Sequence, residues 1–201
     1  MRPESETKLK LLRTAIELIA ESSYGSVSVD DICQRAGVKK GSFYHFFPSK
    51  SDLTVAAMEA DWQAGQIRLD RIFSSQTPPL ERLEAYFESS REIQALKQAQ
   101  CGKICGCPMI TLGAELSTQD EKIRLKTVEI VNRYLKYFES AVRDAAEEGT
   151  IETGNARLLA EELFAYFQGS MLQAKIHNDL KPLLALKKGL SRFLEPRPAT
   201  V

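Results

Sequence analysis

The sequence predicts an all-α protein of about nine helices. A three-helix N-terminal domain carries a helix-turn-helix, and a larger helical domain for ligand sensing and dimerisation follows. Three observations predict this. Apolar residues recur at three- and four-residue intervals along nearly every segment, and strand-like alternation is absent. Cap residues, glycines and prolines punctuate those segments at helical lengths. Residues 28–47 read as two short helices joined by a turn containing Gly37.

Leu9, Leu12, Ile16 and Ile19 mark one face of a first helix, which ends in Ser22–Ser26 with Gly25. Ser28 precedes Asp31 by three residues, the spacing of a capping box. The second helix then buries Val29, Ile32, Cys33 and Ala36 and stops at Gly37, which tolerates positive φ. A third helix covers Lys39–Phe47, ended by Pro48. Ser49 and Asp52 repeat the capping pattern and start a fourth helix, which runs to about Phe73. Ser74–Pro79 is a polar linker, and a fifth helix covers about Leu80–Gln98. Ala99–Cys107 holds two glycines and three cysteines; Pro108 can open the next helix in its first turn. Further helices are expected over Gln119–Glu148, Asn155–Asp179 and Pro182–Leu194. The break between domains falls near Ser49, giving a helix-turn-helix domain over residues 1–50 and an effector-sensing and dimerisation domain over 51–201, with the fourth helix as connector.

The chain has 201 residues, 43% of them hydrophobic, enough for a real core. Its formal net charge is zero, which excludes a polybasic nucleic-acid binder, but the first 50 residues carry eight Lys/Arg against six Asp/Glu. No apolar run is long enough to span a bilayer, and the N-terminus lacks the apolar stretch of a signal peptide. A soluble cytoplasmic protein with no membrane partner is expected. Its four cysteines, Cys33, Cys101, Cys105 and Cys107, are then thiols. No nucleotide loop, paired catalytic carboxylates or nucleophile elbow stands out, so no enzyme and no cofactor are expected.

The third helix, KKGSFYHFF, divides into two faces. Phe43, Phe46 and Phe47 can bury together. Lys40, Ser42, Tyr44 and His45 then face outward, with hydrogen-bonding groups and positive charge suited to the major groove. Lys39, Lys40 and Lys50 flank the element and can neutralise phosphates. The start of the second helix, with Ser26 and Ser28, can offer backbone N–H groups to another. Lys50→Ala is expected to weaken binding to all DNA sequences about equally.

The stretch VSVDDICQRAGVKKGSFYHFFPSKSDL resembles the N-terminal signature of the TetR family of bacterial repressors, and the match is dense over about residues 9–55. Cys33 departs from it, standing where the family usually has Ala; it reads as a small packing residue. The resemblance implies a homodimer whose two recognition helices read a pseudo-palindromic operator in double-stranded DNA. It further implies that Tyr44 and Lys50 contact phosphates and that Lys40, Ser42 and His45 lie near bases.

Three readings compete for CGKICGC. Its C-x3-C-x-C spacing is not that of a zinc ribbon, and only His45 and His177 are available as histidine ligands, so no metal site is expected. Cys107 could simply pack at a helix start while Cys101 and Cys105 are incidental. Or the cluster could hold a reactive thiol. The segments GCPMITLGAELS and GSMLQAKI resemble those of TetR-family members that respond to N-ethylmaleimide, quinones, methylglyoxal and hypochlorous acid. That resemblance implies a redox-responsive cysteine at Cys107 and a partner lysine at Lys175; Cys101 and Cys105 depart from it and read as resolving thiols or as bystanders. An ammonium near a thiol favours the thiolate, which is the nucleophile.

The alternative effector is a small apolar molecule among Met58, Trp62, Phe87, Met109 and Phe138, residues that could equally be plain core. The dimer face is expected on the last two helices. The first offers Leu159, Leu163, Phe164, Phe167, Met171 and Leu172, with Gly169, Ser170 and Ala174 allowing close approach; the second offers Leu183, Leu186, Leu190 and Phe193. The competing function, a thiol redox or metal-thiolate protein built on the cysteine cluster, lacks C-x-x-C and a catalytic partner beyond Lys175.

Overall fold

The computed structural model describes residues 3–194. Among them are ten helical segments: α1 (Pro3–Glu21), α2 (Val29–Ala36), α3 (Lys40–Phe46), α4 (Lys50–Ile72), α5 (Pro79–Cys101), α6 (Pro108–Leu116), α7 (Glu121–Glu147), α8 (Ala156–His177), α9 (Lys181–Leu184) and α10 (Leu186–Leu194). The predicted last helix is a single turn, α9, and then α10; Ala185 between them keeps near-helical angles of φ −79 and ψ −12. Helix ends otherwise lie within a few residues of expectation. Packing divides the chain into two interleaved units. One joins the described part of Met1–Gln66 to Cys107–Val131; the other joins Ile67–Gly106 to the described part of Asn132–Val201.

The first unit is built on α1. Leu11, Leu12, Ala15, Ile16, Ile19 and Ala20 are buried, a broad arc of one helix face. Leu9 belongs to that arc by spacing, yet it is 50% exposed, because it stands before the packed stretch begins. The Ser28–Asp31 capping box forms as predicted. Gly37 ends α2 at φ 65, and its N–H and that of Val38 return to the Gln34 and Cys33 carbonyls, a Schellman closure that needs the left-handed residue. Cys33 is buried beneath this turn, and burial pushes its thiol pKa up, as suits a packing residue. Ser49 and Asp52 exchange hydrogen bonds at the start of α4, also as predicted, and Lys122 from α7 completes Asp52 at 2.7 Å. Gly113 on α6 is required by a close approach: a Cβ there would sit 2.6 Å from Thr127 Cγ2.

The second unit has an aromatic core. The rings of Phe87 and Phe167 stack at 5.2 Å, and Tyr86 meets both Phe138 and Phe167 within 5.3 Å. Arg82 is buried, with its guanidinium donating to Asp144 and to the Thr77 carbonyl, so the charge is paired where it is desolvated. Leu163, Phe164, Phe167, Met171 and Ala174 of α8, with Leu183, Leu186 and Leu190 beyond it, bury inside the same chain. These residues of the expected dimer face are core of their own chain, whereas Leu159 and Phe193 are half-buried and Leu172 is exposed. The apolar residues left outward are Leu158, Leu172 and Ile176 on α8 and Leu184 on α9, each more than half exposed. Spacing marks every apolar position on a helix that is hydrophobic nearly all round and cannot say which stripe its own chain covers.

Gly113→Ala is expected to cost about 1–3 kcal/mol, the usual penalty for overpacking a fixed site. Thr127 is held by its hydroxyl on the Ile123 carbonyl and has little room to yield. Denaturant unfolding of the two proteins measures the difference.

Candidate nucleic-acid interface

The helix-turn-helix lies within the first unit. Phe43 and Phe47 are buried and Phe46 is half-buried, so α3 is seated by the face the sequence assigned to scaffold. Gly41, Tyr44 and His45 are exposed and Ser42 is half-buried. Tyr44 is 53% exposed, its ring edge-on to Phe43 at 5.0 Å. A large aromatic held out by a buried neighbour presents its hydroxyl at low entropic cost. Lys39 precedes α3 as its N-cap residue and is exposed. Lys40 is exposed but engaged: its ammonium sits 2.8 Å and 3.0 Å from the two Asp30 oxygens. That carboxylate raises the Lys40 pKa, through hydrogen bonding first and charge second. The sequence reading placed Lys40 on the reading face and missed the partner, which lies ten residues back on α2.

Two residues expected to meet phosphate have internal work. Ser28 gives its N–H and its hydroxyl to Asp31, at 2.8 Å and 2.6 Å. Lys50 points Nζ into the turn between α1 and α2, donating to the Tyr24 and Val27 carbonyls at 2.8 Å each and lying 3.8 Å from the Tyr24 ring centroid. Burial lowers the Lys50 pKa, and the nearby Glu115 carboxylate opposes that shift. One ammonium proton remains beyond the two carbonyls.

The other half of this arrangement comes from α6. Glu115 accepts the Tyr24 N–H at 3.0 Å and the Gly25 N–H at 2.8 Å, one on each oxygen. The turn that aims α2 and α3 is therefore clamped by a cation on its carbonyls and an anion on its amides. Tyr24 feels the clamp too: burial raises its phenol pKa, and the Asp120 and Glu115 carboxylates add to it. No local spacing signals Glu115, because its partners lie 90 and 91 residues away.

The predicted effector residues separate between the units. Cys107 is the half-buried N-cap residue of α6, whose first helical residue is Pro108 as predicted, and belongs to the first unit. Lys175 is half-buried on α8 in the second, with its side chain packed at Gly106. Met58, Trp62 and Met109 are buried in the first unit; Phe87 and Phe138 are buried in the second, their centroids 6.2 Å apart. Among the described residues no group of three His, Cys, Asp or Glu is placed to hold a metal ion. Among them, too, no helix is long and apolar enough to cross a membrane.

Comparison with known proteins agrees with this architecture. Residues 11–57 match the model of the bacterial regulatory proteins of the tetR family, and residues 79–190 match a tetracyclin repressor-like C-terminal domain. The transcriptional repressor NemR of Escherichia coli K12 is 30% identical over 183 residues, covering 90% of this chain and 89% of NemR. The transcriptional regulator AcuR of Cereibacter sphaeroides is 29% identical over 189 residues, covering 93% of this chain and 84% of AcuR. The crystal structure of reduced E. coli NemR superposes with a TM-score of 0.80 at 27% identity, over 95% of this chain and 99% of that one. With a buried-Phe recognition helix at its head and a matching helical domain behind it, the chain belongs to the tetR family of bacterial regulatory proteins.

Proposed function

We propose that this protein acts in the bacterial cytoplasm as a homodimeric repressor that holds an operator through two copies of α3 and is released by a reactive electrophile or oxidant. The observation that carries the reading is the outward face of α3. Lys40, Ser42, Tyr44 and His45 ride on a helix whose opposite face, Phe43 and Phe47, is locked into the core. Such a face suits entry into a major groove. The homodimer would form through α8 and the segments after it, where Leu158, Leu172, Ile176 and Leu184 form the uncovered apolar surface.

The effector step rests on α6. Cys107 caps its start, where a thiolate meets the positive end of the helix dipole. Glu115 lies in its last turn and grips the α1–α2 turn. Nine helical residues span about 13 Å at ~1.5 Å per residue, so a change at the thiol and the grip on the reading domain belong to one rigid element. Alkylation or oxidation of Cys107 would displace α6, loosen Glu115 and release the turn. A small apolar ligand acting on Met58, Trp62, Met109, Phe87 or Phe138 remains the second route to the same displacement.

Operator binding is checked by fluorescence anisotropy with the DNA upstream of the protein's own gene. Tyr44→Ala should bind about ten-fold or more weakly without a matching loss of thermal stability, since the side chain is mostly outside the core. Unchanged affinity would remove α3 as the reader. Asp30→Asn releases Lys40 from its ion pair. It should tighten binding at low salt and steepen the salt slope by about one unit per chain, about two for the dimer.

Glu115→Gln places an amide N–H against a backbone N–H. About 1.5–3 kcal/mol is typical for a charged hydrogen bond, so operator affinity should fall about ten-fold or more. N-ethylmaleimide should release wild type but not Cys107→Ser; equal release of both would remove Cys107 as the sensor.

A further inference from the structure

The function proposed above uses only one of the three clustered cysteines. The other two lie in the second unit and are placed against each other. Cys101 is the last residue of α5 and is exposed; Cys105, four residues on, is 3% exposed. Cys101 Sγ lies 3.1 Å from the Lys97 carbonyl oxygen and 3.6 Å from that of Lys103. Cys105 Sγ lies 3.9 Å from the same Lys103 oxygen, so the two sulfurs converge on one carbonyl.

The loop between them is held from both sides. Asn178 Oδ1 accepts the Ile104 N–H at 2.9 Å, and its Nδ2 donates to the Gly102 carbonyl at 3.0 Å. Gln94 takes both backbone groups of Gly106, accepting its N–H at 2.9 Å and donating to its carbonyl at 3.3 Å. Asn178 is itself pinned at φ 48 as the C-cap of α8, with Gln98 donating to its carbonyl at 2.8 Å. A left-handed non-glycine residue persists only where its surroundings over-determine it. Two amide side chains therefore hold the segment from Gly102 to Gly106, and the relative placement of the two sulfurs follows from them. An exposed thiol at a helix end adds nothing to a core, so packing accounts for Cys105 and not for Cys101.

Their environments differ in a way that orders a reaction. Burial holds the Cys105 thiol above its ordinary range; the Lys97 ammonium and, more weakly, that of Lys175 pull the other way. Cys101 is the thiol that solvent-borne reagents reach.

We propose that Cys101 and Cys105 are a second redox site, an oxidisable dithiol that a hydroperoxide converts to an intramolecular disulfide independently of Cys107. The Cys101 sulfur attacks the peroxide: an S–O bond forms, the O–O bond breaks, and the alcohol or water leaves with the thiol proton. The Cys105 sulfur then attacks Cys101: the S–S bond forms, the S–O bond breaks, and hydroxide leaves as water with the second thiol proton. Two thiols are oxidised by two electrons and the peroxide is reduced by two.

Lys103 lies between the cysteines, so trypsin separates them onto peptides 98–103 and 104–122. The full-length Cys107→Ser protein is treated with hydrogen peroxide in slight excess, alkylated with iodoacetamide, digested and analysed by mass spectrometry. The expected product is the two peptides joined, lost on reduction, and absent from Cys101→Ser and Cys105→Ser versions. Native gel filtration and a non-reducing gel should place the bond within one chain. Three results would each overturn the proposal: both cysteines fully alkylated after peroxide, Cys101 recovered as sulfinate or sulfonate beside an alkylated Cys105, or a bond found only between chains.

Discussion

The reading head depends on how one short turn is held. The α1–α2 turn has no regular structure to satisfy its own backbone, and buried or half-buried backbone groups must find partners. Here the partners are ionic. Lys50 serves two of its carbonyls and Glu115 serves two of its amides. The Tyr24–Gly25 peptide is held at both poles, its carbonyl by the cation and its N–H by the anion, so the two charges reinforce each other. Loss of either would leave the turn polar groups short of partners and the remaining ion poorly compensated. The orientation of α2 and α3 relative to α1 rests on this arrangement as much as on the buried Ile32, Phe43 and Phe47 beneath it.

This places Lys50 in a different light from a plain phosphate anchor. A lysine occupied by two carbonyls is pre-oriented, so it can present its third proton without reorganising. A variant lacking it would lose the turn as well as any phosphate contact, and its DNA-binding defect would carry a stability defect with it. Lys40 shows the converse. Its ion pair with Asp30 is exposed, of the kind worth about 0–1 kcal/mol, so a phosphate can compete for it. The modest excess of basic residues in this part of the chain is thus divided between a structural cation and an exchangeable one.

What the sequence made legible was local. Capping boxes at Ser28 and Ser49, the left-handed Gly37, Pro108 opening α6 and the two faces of α3 all depend on residues within four or five positions of one another, and all are present. Long-range pairing was not legible. The partners of Glu115 lie 90 residues away, and the Lys40–Asp30 pair joins two helices across a turn. Which apolar residues of α8 serve its own core was not legible for a related reason: they exceed one stripe, and only packing decides that Phe164, Phe167 and Met171 turn inward while Leu172 and Ile176 do not. Asn178 carried at most the signal of a helix stop, and Gln94, inside α5, carried none, because their loop partners Gly102, Ile104 and Gly106 are not set by local spacing.

Magnitudes limit what α6 can transmit. Hydrogen bonds to a charged group contribute about 1.5–3 kcal/mol each, and Glu115 accepts two, so complete loss of its grip would change the energy of one reading head by about 3–6 kcal/mol. Partial loosening is therefore enough to supply a usual allosteric coupling of roughly 1–3 kcal/mol, or about 5–150-fold in affinity. A single head released in this way would leave much of the operator affinity intact. In the homodimer proposed above, two heads on one pseudo-palindrome would combine their losses as a product, so a coupling that is modest per chain would become a switch only in the dimer. On the proposed reading, dimerisation would serve the clamp energetics as well as operator symmetry, and a chain with formal net charge zero would not need to bind DNA tightly as a single copy.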